Sequence, residues 1–157
     1  MKQSIIVLFE ELMQLEENFS TLYKNISILE GKFDMSIKNV SSVLSREELR
    51  HVEIYQKLIE DLKSKEPILI DVTLINDARG YLLMFKQNLN YTMLKSANEI
   101  LVFALDLENK NGFILKQILE LLLKDENENS KQLIAIFEEL IIEEQKHALN
   151  LQKVIKY

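Results

Sequence analysis

The sequence predicts an all-α protein: a four-helix bundle in which a long crossover joins the second and third helices and carries a short helix of its own. Three observations predict it. The first is poverty in turn residues. A chain of 157 residues with average usage would hold about 11 Gly and 8 Pro, and this one holds 3 and 1. Sheet proteins need those residues at their turns, so an all-β or α/β architecture is excluded. The second is the helical spacing of the apolar residues, which make up 47% of the chain and suffice for a core. The third is the pattern of link lengths, short, long and short.

The elements follow in order. Residues 3–30 place apolar side chains at Ile5, Leu8, Phe9, Leu12, Leu15, Phe19, Leu22, Tyr23, Ile26 and Leu29, which is helical periodicity. Gly31 is the expected C-cap. A second helix starts at Asp34, a good N-cap, and runs to about Lys65, where Pro67 stops it. Ile68 to Val72 is rich in β-branched residues and can run extended. Leu74 to Asn90 is a shorter amphipathic stretch interrupted by Gly80. A third helix is expected from about Tyr91 to Lys124, a turn over the polar cluster Asp125 to Ser130, and a fourth helix from about Asn129 to Ile155. Short links make antiparallel hairpins of residues 3–65 and 91–155, and residues 66–90 form the crossover within a single domain, 1–157.

Composition narrows the function. Zero Cys removes disulfides, thiol catalysis, zinc knuckles and iron–sulfur clusters. A formal net charge of −6 argues against a nucleic-acid surface. No apolar run approaches the roughly 18 residues of a membrane span. Ile5 to Phe9 is followed at once by Glu10 and Glu11, with no small-residue cleavage site of the kind a signal peptide needs. A cytoplasmic protein without nucleic-acid or membrane partners is expected.

The two hairpins read as copies of one unit. Leu15-Glu16 aligns with Leu107-Glu108 at an offset of 92, which also sets Tyr23-Lys24-Asn25-Ile26 on Leu115-Lys116-Gln117-Ile118. Glu47-Glu48-Leu49-Arg50-His51 aligns with Glu143-Glu144-Gln145-Lys146-His147 at an offset of 96, and Gln56-Lys57-Leu58-Ile59 then falls on Gln152-Lys153-Val154-Ile155. Both histidines of the chain thus share one setting.

The inward seams carry the chemistry. They read Leu12, Glu16, Phe19, Tyr23, Ile26 in the first helix and Leu44, Glu48, His51, Tyr55, Leu58 in the second. In the third they read Leu101, Ala104, Glu108, Leu115, Ile118, and in the fourth Phe137, Leu140, Glu144, His147, Leu151, Val154. Four carboxylates and two imidazoles lie on apolar stripes. A buried carboxylate costs several kcal/mol unless compensated, and two bound metal cations would compensate four. Glu and His at i, i+3 share a helix face, so one helix can offer an oxygen and a nitrogen to one ion.

One Glu from each of two helices with Glu-x-x-His from each of the other two is the ligand set of di-iron and di-manganese carboxylate bundles. On Glu16 with Tyr23 seven residues on, Glu48-Leu49-Arg50-His51, Glu108 and Glu144-Gln145-Lys146-His147, essentially the whole chain resembles the ferritin-like superfamily, and within it rubrerythrin-type domains. The crossover, with Tyr81-Leu82 and Phe85, is similar to that of stand-alone rubrerythrin-like proteins. Each Glu-x-x-His follows a seam Glu, by 32 residues from Glu16 to Glu48 and by 36 from Glu108 to Glu144.

The resemblance implies two iron ions, with manganese or a mixed pair also suited to the N/O donors. It implies Glu16 and His51 as terminal ligands of one ion, Glu108 and His147 of the other, and Glu48 and Glu144 as bridges. Tyr23 would be a hydrogen-bond donor to a carboxylate ligand. Glu17, Glu47 and Glu143 read as solvated neighbours, Tyr55 as a core aromatic, and Met84 and Met93 as gap-filling core. The chain lacks the paired cysteines of a rubredoxin-like domain, so an external electron-donor protein is implied. Rubrerythrins carry a further Glu three residues before the third-helix ligand, where this chain has Leu105. The expected activity is redox chemistry on peroxide or dioxygen, and a homodimer is the expected assembly. A ferroxidase or iron-handling role is the alternative, which the absence of a fifth helix after the fourth weakens, and a metal-free structural bundle is a third.

Overall fold

The computed structural model describes residues 1–31, 34–88, 96–124 and 128–155. The protein is all-α apart from one small strand pair. In chain order the elements are β1 (Lys2–Ser4), α1 (Ile6–Ile28), α2 (Met35–Lys63), β2 (Leu69–Asp71), α3 (Val72–Asn88), α4 (Ala97–Leu122) and α5 (Glu128–Val154). No described helix is long and apolar enough to cross a membrane. The chain divides into two compact units, Met1–Leu82 and Leu83–Tyr157.

In the first unit α1 and α2 form an antiparallel hairpin. Phe9 meets Tyr55, Glu16 meets His51 and Ser20 meets Ser45, so residue numbers rise on one helix as they fall on the other. The apolar stripe of α1 (Leu8, Phe9, Leu12, Leu15, Phe19, Tyr23, Ile26) is buried, as are Val52, Tyr55 and Ile59 of α2. Near the link, Ser20 Oγ donates to the Ser45 carbonyl at 2.9 Å and Ser45 Oγ donates to the Ser20 carbonyl at 2.9 Å. Small hydroxyl side chains there let the backbones approach and satisfy their own polar atoms. Asp34 caps α2 as expected, its Oδ1 accepting from the Ile37 amide at 3.0 Å. Gly31 has φ +72°, but the cap of α1 is Leu29 in an extended conformation. Gly31 therefore turns the link rather than capping the helix, a correction to its expected role.

The N-terminus is a second correction. Residues 3–5 were expected in the first helix, yet Lys2–Ser4 is a strand antiparallel to Leu69–Asp71, with Gln3 opposite Ile70. The Ile5 amide donates to the Ile68 carbonyl at 2.9 Å and the Val72 amide to the Met1 carbonyl at 3.0 Å. A strand of three residues has no period to read, and its partner lies far along the sequence. The extended reading of Ile68 to Val72 fits β2. Directly after it, Asp71 Oδ1 accepts from the backbone amide and the hydroxyl of Thr73, both at 2.9 Å. The Thr73 amide, then its hydroxyl, hold the Asp71 carboxyl below the usual carboxylate range. Helix α3 runs through Gly80 without a break and buries Ile75, Ala78 and Leu82. Arg79 Nε donates to Glu11 Oε1 at 3.0 Å, tying α3 to α1. Met84, expected in the core, is 62% exposed.

In the second unit, Ser96 Oγ accepts from the Glu99 amide at 3.2 Å at the start of α4. The expected helix over 91–95, Met93 and the turn at 125–127 lie outside the described residues. Helices α4 and α5 are antiparallel, Glu108 meeting His147 while Gly112 faces Glu144. Ala104, Leu107, Leu115 and Ile118 of α4 and Phe137, Leu140 and Leu151 of α5 are all buried. The expected seam departs at its ends. Leu101 is half-buried, and Val154, in the last turn of α5, is exposed.

Candidate metal centre

Each helix places its ligand candidates on its buried face near mid-length. Glu16 and Glu48 are 0% exposed, His51 0%, Glu108 4%, Glu144 1% and His147 8%. Among the described residues these are the only buried ionisable carboxylates and imidazoles, and no Lys or Arg is buried with them. The arithmetic of charge is one-sided. Each unit buries two carboxyl groups and one imidazole with no buried Lys or Arg to balance them among the described residues.

The first unit brings Glu16, Glu48 and His51 together. His51 Nδ1 lies 3.5 Å from Glu48 Oε2 and 3.8 Å from Glu16 Oε2. One donor atom from each of the three lies within 4.8 Å of the other two. The second unit repeats the arrangement: His147 Nδ1 lies 3.4 Å from Glu108 Oε2 and 4.0 Å from Glu144 Oε2. In both, the i, i+3 spacing on one helix supplies Glu-x-x-His, and the antiparallel neighbour supplies the remaining Glu. The internal repeat therefore sets a histidine near the same two glutamates in both hairpins, at somewhat different separations.

These separations are long for N–H···O hydrogen bonds, whose usual range ends near 3.2 Å. They match two donors that share one ion. Atoms about 2.1 Å from a common metal stand about 3 Å apart at right angles and about 4 Å apart when opposite. The donor set and its spacing thus fit a divalent transition metal at Glu16, Glu48 and His51, and in the second unit each carboxylate paired with His147 is spaced as two donors to one ion. Imidazole with carboxylates suits iron or manganese, and the absence of sulfur ligands disfavours soft-metal sites.

The neighbouring acids Glu17, Glu47 and Glu143, expected to be solvated, are half-buried, still less enclosed than the ligand candidates. Glu47 is 39% exposed at its side chain and pairs with Arg50 at 3.3 Å. Glu17 accepts from Gln14 Nε2 at 3.0 Å, and Glu143 is half-buried. Tyr23 is buried on the face that carries Glu16, two turns further along α1. That is about 10 Å of helix rise from Glu16. Tyr55 is fully buried, with its ring centroid 6.2 Å from that of Phe9. Leu105 is half-buried one turn before Glu108. One polar residue was not foreseen: Asn111, three residues after Glu108, is 1% exposed. Its i, i+3 spacing from a ligand candidate was the available signal. The side chains of Tyr81 and Phe85 lie outside what is described.

The chain matches no family model, no curated protein and no solved structure.

Proposed function

We propose that the protein is a dinuclear carboxylate metalloprotein that performs redox chemistry on peroxide or dioxygen, in the manner of the stand-alone rubrerythrin-like domains it resembles. The observation that carries this reading is the pair of buried Glu/Glu/His triads, the first with all three donor atoms spaced for one ion, the second with both carboxylates within 4.0 Å of His147, and neither accompanied by a buried Lys or Arg. In this reading the two hairpins pair as a ferritin-like four-helix bundle, with α3 in the crossover. Glu16 and His51 hold one ion, Glu108 and His147 the other, and Glu48 and Glu144 span the two.

Bound there, two iron or manganese ions would cycle between lower and higher oxidation states and so pass electrons to an oxidant. The chain's own residues do the rest. The carboxylates cancel the charge of the ions and keep them out of water. The Nδ1 atoms of His51 and His147 fix the tautomer, because the proton of each neutral ring must reside on Nε2. Tyr23 supplies a hydroxyl donor to one carboxylate, which holds that ligand in one orientation. With zero Cys, the chain draws its electrons from a separate donor protein, and it works as a homodimer.

The test is anaerobic loading with Fe(II) followed by metal analysis and a peroxide challenge in the presence of a chemical reductant. Two ions per chain and peroxide-dependent oxidation of the reductant are expected. A chain that retains no iron overturns the proposal.

A further inference from the structure

The two triads are alike in residues but not in their surroundings. A groove of about 470 Å³ runs between α4 and α5, and both Glu108 and Glu144 line it. Gly112 and Ala148 lie along its floor, with Phe113, Leu149, Lys116 and Gln152 beside them. Phe113 and Leu149 are 50% and 55% exposed, so the groove opens on solvent. The side chain of His147 is 10% exposed, whereas that of His51 is 0%.

Gly112 is informative because nothing in the backbone calls for it. It lies within α4 and has no positive φ. A Cβ built there would meet Glu144 Cβ at 3.7 Å, an ordinary contact. Alanine would fit and would stabilise the helix. What glycine preserves is open space beside a ligand candidate.

The internal repeat shows the same positions filled in the other hairpin. At the offset of 92, Gly112 corresponds to Ser20, and at the offset of 96, Ala148 corresponds to Val52. Ser20 is buried and bonded to Ser45, and Val52 is buried. The charges change as well. Glu17 corresponds to Asn109 and Glu53 to Leu149. Two acids of the first hairpin are thus replaced by uncharged residues on the groove's rim, which leaves Glu108 and Glu144 as its only carboxylates beside an apolar wall.

We propose that the groove between α4 and α5 is the port through which a small uncharged oxidant, hydrogen peroxide or dioxygen, reaches the metals, so that the exchangeable coordination position lies on the Glu108–Glu144–His147 half. This rests on the reading of the six residues as metal ligands. Gly112 and Ala148 are positioning residues, which set the width of the port.

Nitric oxide is the probe, as a neutral diatomic that binds Fe(II). In Fe(II)-loaded protein, stopped-flow association of nitric oxide should slow about tenfold, on the scale of 1.4 kcal/mol in the barrier, in Ala148→Leu. It should stay within twofold of wild type in Val52→Leu, with two ions retained in each. Gly112→Ala covers the case in which Ala148→Leu fails to fold. It should raise the Tm of the metal-free protein and still slow nitric oxide, a combination that a purely structural role does not produce. Unchanged association in Gly112→Ala and in a folded, loaded Ala148→Leu overturns the port and leaves the metal reading intact. A wild-type chain that binds no Fe(II) overturns both. The natural chain has no Cys, so the metal-free protein gives a separate readout. A thiol introduced by Ala148→Cys should react with iodoacetamide faster than one introduced by Val52→Cys, and equal rates count against an open groove.

Discussion

At the scale of single residues, one helical step separates a ligand candidate from a half-buried acid. Glu48 is fully buried beside His51, while Glu47 is half-buried and paired with Arg50. Ligand binding to the native state stabilises it by about 2.7 kcal/mol per ion at a hundredfold excess over Kd. For a chain of this size that is about 5–10 °C in Tm. Fe(II) or Mn(II) should therefore raise the Tm of wild type and of Glu47→Ala by at least that amount, and of Glu48→Ala by much less. Equal responses in calorimetry would show that the buried face has been misassigned. Leu105 gives a second residue-scale prediction. It sits one turn before Glu108, on the same side of α4. By the resemblance, a carboxylate there is the ligand that distinguishes full rubrerythrins, and leucine cannot coordinate. Leu105→Glu should raise peroxide turnover relative to dioxygen turnover. An unchanged ratio in a folded, metal-loaded variant counts against that role. The six ligand candidates were legible because the chain has only two histidines and both stand in the same Glu-x-x-His context on an apolar stripe. Asn111 was not, because a mid-helix Asn in α4 carries no charge whose burial demands an explanation.

Among the elements, the long helices were legible from period and caps, and Asp34 is the clearest instance. Its carboxylate takes one of the amides that the first turn of α2 cannot satisfy internally. Asp34→Ala should cost about 1 kcal/mol, read as a lower midpoint in urea with an unchanged slope. The β1–β2 pair shows where periodicity fails. Its short strands hold together through pairing across about seventy residues, information that no local window contains. Asp71 anchors the exit of β2 through Thr73. Its folded-state pKa lies below the ordinary 3.8. The stabilising contribution is therefore complete above that value and is lost as pH falls through the lowered folded pKa. Subtracting the stability of Asp71→Ala from that of wild type, measured from about pH 6 downward, should give a difference that is constant and then shrinks on the acid side. A difference that grows with acidity would reverse the sign of the argument. Helix α3 was underestimated for a related reason. Gly80 reads as a breaker, but a single glycine costs a helix only about 1 kcal/mol relative to alanine, and buried Ile75, Ala78 and Leu82 hold it in place.

For the whole molecule, the decisive question is how the two triads combine. Each unit supplies two carboxylates and one imidazole, which is three protein donors for an ion that prefers more. A separate ion in each hairpin would leave half its coordination to water in a buried setting, where water has little access. Sharing removes the deficit. If Glu48 and Glu144 each donate one oxygen to each ion, every ion gains a ligand without any new residue, and the two ions balance the four negative charges. The near-equal offsets of 92 and 96 place the triads at equivalent heights in their hairpins, as a two-fold pairing of the hairpins requires. We therefore expect two metal peaks per chain in anomalous diffraction from crystals grown with Fe(II) or Mn(II), about 3.5–4 Å apart. The triads also become interdependent. In a shared centre, Glu144→Ala removes a ligand from both ions and should lower metal content toward zero. In two independent sites the same variant would lose one ion and keep the one held by Glu16, Glu48 and His51. Metal analysis of Glu144→Ala distinguishes the two directly, and a retained single ion together with a metal separation well beyond 4 Å in wild type would replace the dinuclear centre with two mononuclear ones.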